Sequence, residues 1–285
     1  MVNPEIYEPN RETAWCPGCG DIPLRKCLAE ALAELELKPS QVTMFTGIGQ
    51  AAKMPHYIKV NGFNGLHGRA LPPSMGMRIA NPEMKVIVES GDGDTYGEGG
   101  NHILHNIRRN LNIAHFVHDN QIYGLTKGQA SPTTGHDITT STQPNGITAN
   151  PFNPIKFAVA MGASFVARSF VGKKEHLKEM MKAALNHRGY ALIDILQPCV
   201  SFNKVNTYQW YMKRVYELGA DYDPSNYELA LKKSEEWGEK IPLGIIYKNE
   251  DMPIFRDKHP QIGDKALVKE KTKPSDFKDL IEEMK

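Results

Sequence analysis

The sequence has few cysteines, no long apolar run and almost no net charge. Four cysteines in 285 residues are too few for a disulfide scaffold, which favours a reducing compartment, the cytoplasm. No apolar stretch approaches the about 20 residues that a membrane helix needs, and the N-terminus lacks the pattern of a signal peptide. Because the net charge is +1 and no basic block occurs, neither nucleic acid nor a membrane surface is expected as a partner.

Apolar runs alternate with amphipathic stretches over residues 20–200. Five of the runs are predicted strands: residues 41–49, 85–94, 113–120, 163–170 and 191–199. Several are apolar at successive positions, as expected where both faces of a parallel sheet are covered. Helices are predicted between them, one with Asp21 as its N-cap and one ending at Gly189. The alternation predicts an α/β fold with a mostly parallel sheet and helices on both faces.

The chain is expected to form one main domain with a C-terminal extension. Residues 1–204 contain the strand and helix alternation and form the predicted α/β domain. Residues 205–285 are first charged and helical in pattern, then irregular and interrupted by prolines. We expect this helical and irregular extension to pack on the same domain or on a partner.

The stretch "ESGDGDTYGEGG" follows a predicted strand and leads into a predicted helix. Its glycines allow close approach of the backbone to a ligand, and ligands of open α/β sheets bind beyond the carboxyl ends of strands. Asp92 and Asp94 would repel a diphosphate there unless Mg²⁺ lies between the charges. Asn120 follows the next predicted strand, so it can reach the same ion.

Two other interpretations of this turn were weighed. A dinucleotide site requires G-x-G-x-x-G, but Tyr96 stands where the third glycine belongs, which disfavours NAD. A glycine-rich turn with solvated acids is the simpler alternative. The asparagine one strand further along the chain favours the metal site.

Three of the four cysteines lie in "WCPGCGDIPLRKC", at Cys16, Cys19 and Cys27, and Cys199 follows the last predicted strand. Cys-x-x-Cys in a reducing compartment indicates a metal or an iron–sulfur cluster. Zinc is the rival, but its second ligand pair is usually also closely spaced.

Six motifs together resemble one family, the β subunits of 2-oxoacid:ferredoxin oxidoreductases, over roughly residues 12–250. In chain order they are "WCPGCG", "GIGQAAKMPHY", "LHGRALP", "SGDGDTYGEGGNH", "DNQIYGLTKGQASPT" and "PCVSFNKVNTY". The resemblance is nearest to the 2-oxoglutarate-using type. It implies the fold that binds the diphosphate half of thiamine diphosphate.

The resemblance also implies site residues. It assigns Mg²⁺ to Asp92, Asn120 and the backbone carbonyl of Ile122. It places the cofactor against Gly49, His67, Gly68, Arg69, Gly91, Asp92, Gly93, Asp94, Asn120, Ile122, Tyr123, Gly124 and Leu125. His67 is also a candidate catalytic residue, although a loop histidine bonded to backbone is the alternative.

Lys53 and Lys127 complete the candidate catalytic set as substrate contacts. Lysines suit a 2-oxo acid because this substrate carries at least one carboxylate. Leu125 and Lys127 resemble the residues of 2-oxoglutarate-using members. The plain alternative is a pair of surface lysines.

The family reaction decarboxylates a 2-oxo acid, transfers the acyl group to coenzyme A and passes two electrons through a [4Fe–4S] cluster to ferredoxin. The resemblance implies cluster ligands at Cys16, Cys19 and Cys199, but Gln50 stands where the family has its fourth cysteine. Cys27 is a possible replacement ligand, but a cluster held by three thiolates and a water or other irregular fourth ligand is favoured, and an absent or altered cluster is the third possibility. The aminopyrimidine half of the cofactor site belongs to a separate α subunit, which is therefore an expected partner.

Two other functions stay open. The glutamine is compatible with a non-oxidative thiamine-dependent 2-oxoacid decarboxylase subunit that lacks a normal cluster. Alternatively, the four cysteines hold a cluster in a non-catalytic electron-transfer module, and the Gly-Asp-Gly turn is incidental.

Overall fold

An eight-stranded sheet runs through the computed structural model, which describes residues 2–9, 11–263, 265–271 and 273–285. The strands are β1 (Val42–Thr46), β2 (Asn61–Asn64), β3 (Lys85–Gly91), β4 (Ile113–Asp119), β5 (Ile122–Tyr123), β6 (Gln129–Ala130), β7 (Phe165–Phe170), β8 (Tyr190–Leu196), β9 (Val215–Glu217) and β10 (Ile241–Lys248). The sheet order is β2-β1-β3-β4-β8-β7-β10-β9, and β5 pairs with β6 in a separate hairpin.

The first six strands of this order are parallel, whereas β10 runs antiparallel to β7 and parallel to β9. The predicted mostly parallel sheet is thereby confirmed. All seven residues of β4 and of β8 are buried, which explains their continuous apolar character.

Helices cover both faces of the sheet, as predicted. They are α1 (Asp21–Glu34), α2 (Leu71–Ala80), α3 (Gly100–Arg109), α4 (Pro154–Ala160), α5 (Lys174–Asn186), α6 (Tyr208–Met212), α7 (Tyr227–Ser234) and α8 (Lys278–Glu283). α1 and α5 pack in one apolar cluster, and α2, α3, α4 and α7 pack in a second. In α1 the fully buried Leu24, Leu28 and Leu32 recur every fourth residue and form one helix face. No helix in the described ranges is long and apolar enough to cross a bilayer.

Two predicted helix ends differ from the structure. Asp21 is the first residue of α1 rather than its N-cap, a position that Gly20 occupies. Its carboxylate instead bonds His118, a partner far away in the sequence. α5 ends at Asn186, and Gly189 lies at φ +137° just before β8. A side chain at Gly189 would lie 2.5 Å from the hydroxyl of Ser164. Glycine is therefore needed here for the start of β8 and not for the end of α5.

The extension predicted as helical and irregular also supplies strands, and in this respect the prediction was wrong. Without the extension, β7 would be the edge strand of the sheet. β10 pairs with β7, and β9 pairs with β10. Pairing covers the backbone groups of β7 that would otherwise be exposed at the edge. The division of the chain at residue 204 stays a prediction.

Candidate active site

A cleft opens beyond the carboxyl ends of β1, β3 and β4. It is lined by Ile48, Gly49, Gln50, Ala51, His67, Gly91, Asp92, Gly93, Asp94, Asn120, Ile122, Tyr123, Gly124, Leu125 and Thr126. β3 pairs with β4, and Gly91 lies opposite His118. This pairing brings the two strand ends side by side. The structure therefore brings together most of the residues predicted to contact a cofactor, and their role as contacts stays a prediction.

Four predicted residues do not line this cleft. Gly68 is buried behind it, and Arg69 is exposed. Lys53 lies in a short 3₁₀ helix, Ala51–His56, whose first residue is at the cleft wall. Lys127 is exposed, next to the lining residue Thr126. The two lysines therefore lie near the cleft in sequence but not in its wall.

Asp92 is almost completely buried at the bottom of the cleft, with 1% of its surface exposed. Its Oδ2 accepts hydrogen bonds from the hydroxyl of Thr133, at 2.7 Å, and from the hydroxyl of Ser131. Burial raises the pKa of Asp92 to about 6, although these two hydroxyls lower it. The ionised carboxylate would therefore gain from a cation in the cleft.

Asn120 is followed by a strained turn. The buried Gln121 has φ +59°, a conformation that costs a non-glycine residue about 1–3 kcal/mol and that is found at functional sites. The hydroxyl of Thr134 donates to the Gln121 carbonyl at 2.7 Å, and Asn120 Oδ1 accepts from the Ile122 N–H at 3.0 Å. These bonds hold Asn120 and Ile122 at the same end of the cleft.

The residues present fit a Mg²⁺–diphosphate group. Within the described ranges, no three His, Cys, Asp or Glu side chains converge on one point as metal ligands. The predicted Mg²⁺ site needs only one carboxylate, because an amide, a backbone carbonyl and phosphate oxygens complete the ligand set. Asp92, Asn120 and Ile122 all line the cleft, and they contain the carboxylate, amide and carbonyl oxygens of this ligand set.

Asp94 anchors two loops. Its Oδ1 accepts the backbone N–H groups of Ile48, at 3.0 Å, and Gly68, at 2.8 Å, and lies 2.5 Å from His67 Nδ1. Gly68 has φ +69°, and a side chain there would lie 2.5 Å from the backbone of Glu98. Because protein donors already satisfy Asp94, its negative charge interacts with these two loops, one of which carries His67.

Tyr123 covers the Gly-Asp-Gly turn. Its hydroxyl donates to the Gly93 carbonyl at 3.1 Å, and a Cβ at Gly93 would lie 2.3 Å from its ring. Burial, and then the charges of Asp92, Glu98 and Asp94, raise the pKa of Tyr123 to about 12. The phenol therefore stays protonated, and the turn requires glycine at residue 93.

A second cavity adjoins the cleft. It is lined by Trp15, Cys16, Cys19, Asp21, Gln50, Asn120, Gly124, Gln197, Cys199, Val200, Ser201 and Phe202. Gln50, Asn120 and Gly124 line both spaces, so the thiols and the cleft share a wall. We call this space the cysteine cavity.

The three cavity thiols have the donor chemistry of a cluster site. Cys16 Sγ accepts a hydrogen bond from the Ser201 hydroxyl at 3.1 Å. Burial, and then the carboxylate of Asp21, raise the pKa of Cys19 far above its usual value. A thiolate at Cys19 therefore needs a cation, and iron would supply that positive charge. The thiols match a three-thiolate cluster site in donor type, although they do not converge on one point in the described ranges.

Cys27 is not part of the cysteine cavity. Its side chain is 2% exposed, and its thiol lies 3.7 Å from the Lys174 carbonyl at the start of α5. Burial raises its pKa to about 11. The suggestion of Cys27 as a replacement ligand was wrong, because the residue faces the α1–α5 contact as a small core side chain.

Sequence reasoning missed a buried ion-pair chain behind both spaces. His118 Nδ1 lies 2.6 Å from Asp21 Oδ1, and its Nε2 lies 2.6 Å from Glu89 Oε2. Burial lowers the pKa of His118, but the hydrogen bonds with Asp21 and Glu89 outweigh burial and raise it to about 9. The chain connects the cysteine segment to β3 and β4. In the sequence, only the motif "HDN" at the end of β4 indicated a polar group at this place.

Comparisons with known proteins agree with this architecture. A family model for the C-terminal TPP-binding domain of thiamine pyrophosphate enzymes matches residues 40–195. A second model, for the C-terminal part of the pyruvate ferredoxin oxidoreductase beta subunit, matches residues 199–264. The fold and cleft are thus those of a thiamine pyrophosphate-binding domain.

Similar proteins identify the subunit family more narrowly than the two family models do. The chain is 45% identical, over 246 residues, to 2-oxoacid:ferredoxin oxidoreductase 1 subunit beta of Aeropyrum pernix, which covers 82% of this chain and 77% of the relative. It is 40% identical to 2-oxoglutarate oxidoreductase subunit KorB of Mycobacterium tuberculosis, over 69% of this chain and 53% of that protein.

A solved structure has the same fold over the entire chain. It is 2-oxoglutarate:ferredoxin oxidoreductase from Magnetococcus marinus with 2-oxoglutarate, coenzyme A and succinyl-CoA bound, with a TM-score of 0.92 and 34% identity. The match covers 100% of this chain and 96% of that one. The chain belongs to the beta-subunit family of 2-oxoacid:ferredoxin oxidoreductases, so the resemblance is confirmed and an alpha subunit is implied as partner.

Proposed function

We propose that this chain forms, with an α subunit, an enzyme that oxidatively decarboxylates 2-oxoglutarate to succinyl-CoA and passes the electrons to ferredoxin. The substrate assignment is supported by relatives named for 2-oxoglutarate and by the ligands of the Magnetococcus marinus structure. The four free cysteines suit the reducing cytoplasm in which we place the complex.

The observation that carries the proposal is the meeting of Asp92 and Asn120 in one cleft, from the ends of two adjacent parallel strands. In this proposal Asp92, Asn120 and the Ile122 carbonyl hold Mg²⁺ on the diphosphate. Gly91, where a Cβ would meet no atom within 4 Å, leaves room for the phosphates, and Gly93 lines the same cleft. Thiamine diphosphate, when bound, supplies the nucleophilic carbon and the electron sink for loss of CO₂.

Charged residues at the cleft have separate tasks in this proposal. His67, held by Asp94, faces the cofactor at the cleft wall. Lys53 and Lys127 bind the substrate carboxylates, since Lys53 lies two residues from the lining residue Ala51 and Lys127 directly follows the lining residue Thr126. Lysine chains are long enough to extend from these backbones towards the mouth of the cleft, where an anion would be attracted.

The cysteine cavity provides the proposed electron exit. Cys16, Cys19 and Cys199 would bind an iron–sulfur cluster on the other side of the wall formed by Gln50, Asn120 and Gly124. The common wall keeps the redox centre close to the proposed cofactor site.

The test of the proposal is Asp92→Ala in the complex with the α subunit. We expect Mg²⁺-dependent thiamine diphosphate binding to weaken at least about 100-fold, because the only carboxylate of the predicted metal site is removed. 2-Oxoglutarate-dependent ferredoxin reduction should be lost. Asp251→Ala, at an exposed carboxylate outside the cleft, is the matched control. Normal cofactor binding and turnover by Asp92→Ala would refute the assignment.

One observation favours a second function. Gln50 stands where the family has a cysteine, so a non-oxidative decarboxylase without a cluster is the competing candidate. Such an enzyme would release an aldehyde from the 2-oxo acid and contain no iron. Iron and sulfide analysis of the anaerobically purified complex, together with product analysis, separates the two functions. Thiamine in a denatured extract of the same sample would exclude a purely electron-transferring module.

A further inference from the structure

The side chain of Gln50 has a buried oxygen without a hydrogen-bond donor. Oε1 of Gln50 is inaccessible to solvent and unpaired. An unsatisfied buried acceptor costs about 1–3 kcal/mol, so such a group indicates a missing partner. Among the described residues that line the cysteine cavity, Gln50 is the only one with an unpartnered buried side-chain oxygen.

The backbone of Gln50 is fixed next to the cysteines. Its carbonyl accepts the indole N–H of Trp15 at 3.0 Å, and Trp15 immediately precedes Cys16. The same carbonyl accepts the N–H of Lys53 at 3.2 Å and so starts the 3₁₀ helix Ala51–His56. The backbone carbonyl of Gln50 thus already accepts two hydrogen bonds. The free oxygen of the side chain has no structural role of this kind in the described chain.

Gln50 and the three cysteines line one cavity from three chain segments. A [4Fe–4S] cluster has four irons and normally takes four protein ligands. Cys16, Cys19 and Cys199 account for three of them. Gln50 also lines the cofactor cleft, so a ligand from Gln50 would bind the iron corner nearest to that cleft.

We propose that the amide oxygen of Gln50 is the fourth protein ligand of the iron–sulfur cluster. The inference rests on the proposed function, which supplies the cluster. Asp21 is the competing oxygen donor, with Oδ2 at 3.5 Å from Cys19 Sγ. Its other oxygen, however, already pairs with His118 at 2.6 Å, whereas Gln50 Oε1 has no partner.

An amide oxygen changes the properties of one iron. Oxygen is a harder ligand than thiolate, so it holds that iron less tightly. A neutral ligand also leaves the cluster with one negative charge fewer than four thiolates, which raises its reduction potential. The corner bound by Gln50 is therefore the one that loses iron first on oxidation.

The experiment compares the anaerobically purified α–β complex with its Gln50→Ala and Gln50→Cys variants. Iron and sulfide content, EPR spectra of the reduced protein, and the rate at which ferricyanide converts the cluster to a three-iron form are measured. We expect iron loss at least tenfold faster in Gln50→Ala. Gln50→Cys should lose iron more slowly than the wild type and be reduced at a lower potential.

Gln209→Ala is the matched control, since Gln209 is an exposed amide outside the cysteine cavity. Its iron loss should equal that of the wild type. Thiamine diphosphate binding and thermal unfolding identify a variant that fails to fold, in which case Gln50→Cys alone decides the question.

The outcomes separate the two proposals. A wild-type cluster of four irons whose loss rate and spectrum are unchanged in Gln50→Ala would overturn only the ligand assignment. Equal acceleration in Gln50→Ala and Gln209→Ala would also overturn it. A wild-type complex with thiamine diphosphate but without iron would overturn the ligand assignment and the ferredoxin-linked function together.

Discussion

The hydroxyl of Thr133 lies 2.7 Å from Oδ2 of Asp92, so a residue far along the chain fixes the acid of the predicted metal site. Thr133 follows the β5–β6 hairpin and is itself buried. Its hydroxyl is also 2.8 Å from Asp119 Oδ1, so its single proton serves one carboxylate at a time. Hydrogen bonds of this kind orient a metal ligand before the ion binds.

We expect Thr133→Val to weaken Mg²⁺ binding by about 10-fold or more, since outer partners of metal ligands contribute about 10–100-fold to affinity. Thr133→Ser, which keeps the hydroxyl, should retain most of the affinity. Titration of Mg²⁺-dependent thiamine diphosphate binding in the α–β complex measures both. Thr139→Val is the control at an exposed threonine. Equal affinities of Thr133→Val and the wild type would exclude an orienting role.

Mg²⁺ affinity should depend on pH through Asp92. Burial raises the pKa of this carboxyl to about 6, and only the ionised form binds the metal well. As pH falls below about 6, protons compete and affinity should drop, by at most about tenfold per pH unit. Titrations between pH 5 and 8 test this; in Asp92→Asn the weak remaining affinity should not show that step. A Mg²⁺ affinity that stays unchanged from pH 8 down to pH 5 would contradict the prediction.

Gly93→Ala tests the contact with Tyr123. The added methyl group would lie 2.3 Å from the tyrosine ring, so the ring or the turn must shift. We expect a lower melting temperature and weaker cofactor binding. Gly100→Ala is the control, because a Cβ at Gly100 meets no atom within 4 Å. If both variants melt alike and bind the cofactor alike, the close approach does not constrain the site.

Stability at alkaline pH should reflect His118. The pKa of this histidine is about 9 in the folded protein and about 6.5 when unfolded, because it gains Asp21 and Glu89 on folding. Its contribution is therefore fully present below pH 6.5 and is lost as pH rises through 9. The free energy of unfolding should fall by at most about 1.4 kcal/mol per pH unit between these values.

Urea unfolding of the complex at a series of pH values measures this loss. His118→Gln should flatten the profile between pH 6.5 and 9. His136→Gln, at an exposed histidine, should leave the slope unchanged. An identical slope in His118→Gln would show that other groups titrate there.

Local patterns in the sequence predicted the part of the site that adjacent strands create. Asp92 and Asn120 each follow a strand directly, so the parallel order of β3 and β4 was enough to bring them together. The same reasoning could not find Thr133 or Glu89, because their roles depend on contacts across the fold. Asp21 was assigned to a helix cap for the same reason: its true partner, His118, is distant in sequence.

Strand β10, near the edge of the sheet, shows a second limit of prediction from the sequence. β10 contains Pro242 and Gly244, residues that argue against a strand in a local interpretation. It forms because β7 offers an unpaired edge, and a register shift between Ile245 and Tyr247 accommodates the irregularity. Cys27 likewise lies in the core, because the face of α1 that it occupies packs against α5.

The most direct test of the central claim is a crystal structure of the α–β complex with thiamine diphosphate and Mn²⁺ in place of Mg²⁺. The anomalous signal of manganese locates the ion independently of the surrounding map. We predict one peak about 2.0–2.3 Å from a carboxylate oxygen of Asp92, Oδ1 of Asn120 and the carbonyl oxygen of Ile122, and next to the diphosphate. Thiamine diphosphate bound with the ion elsewhere, or an ion without contact to Asp92, would contradict the account.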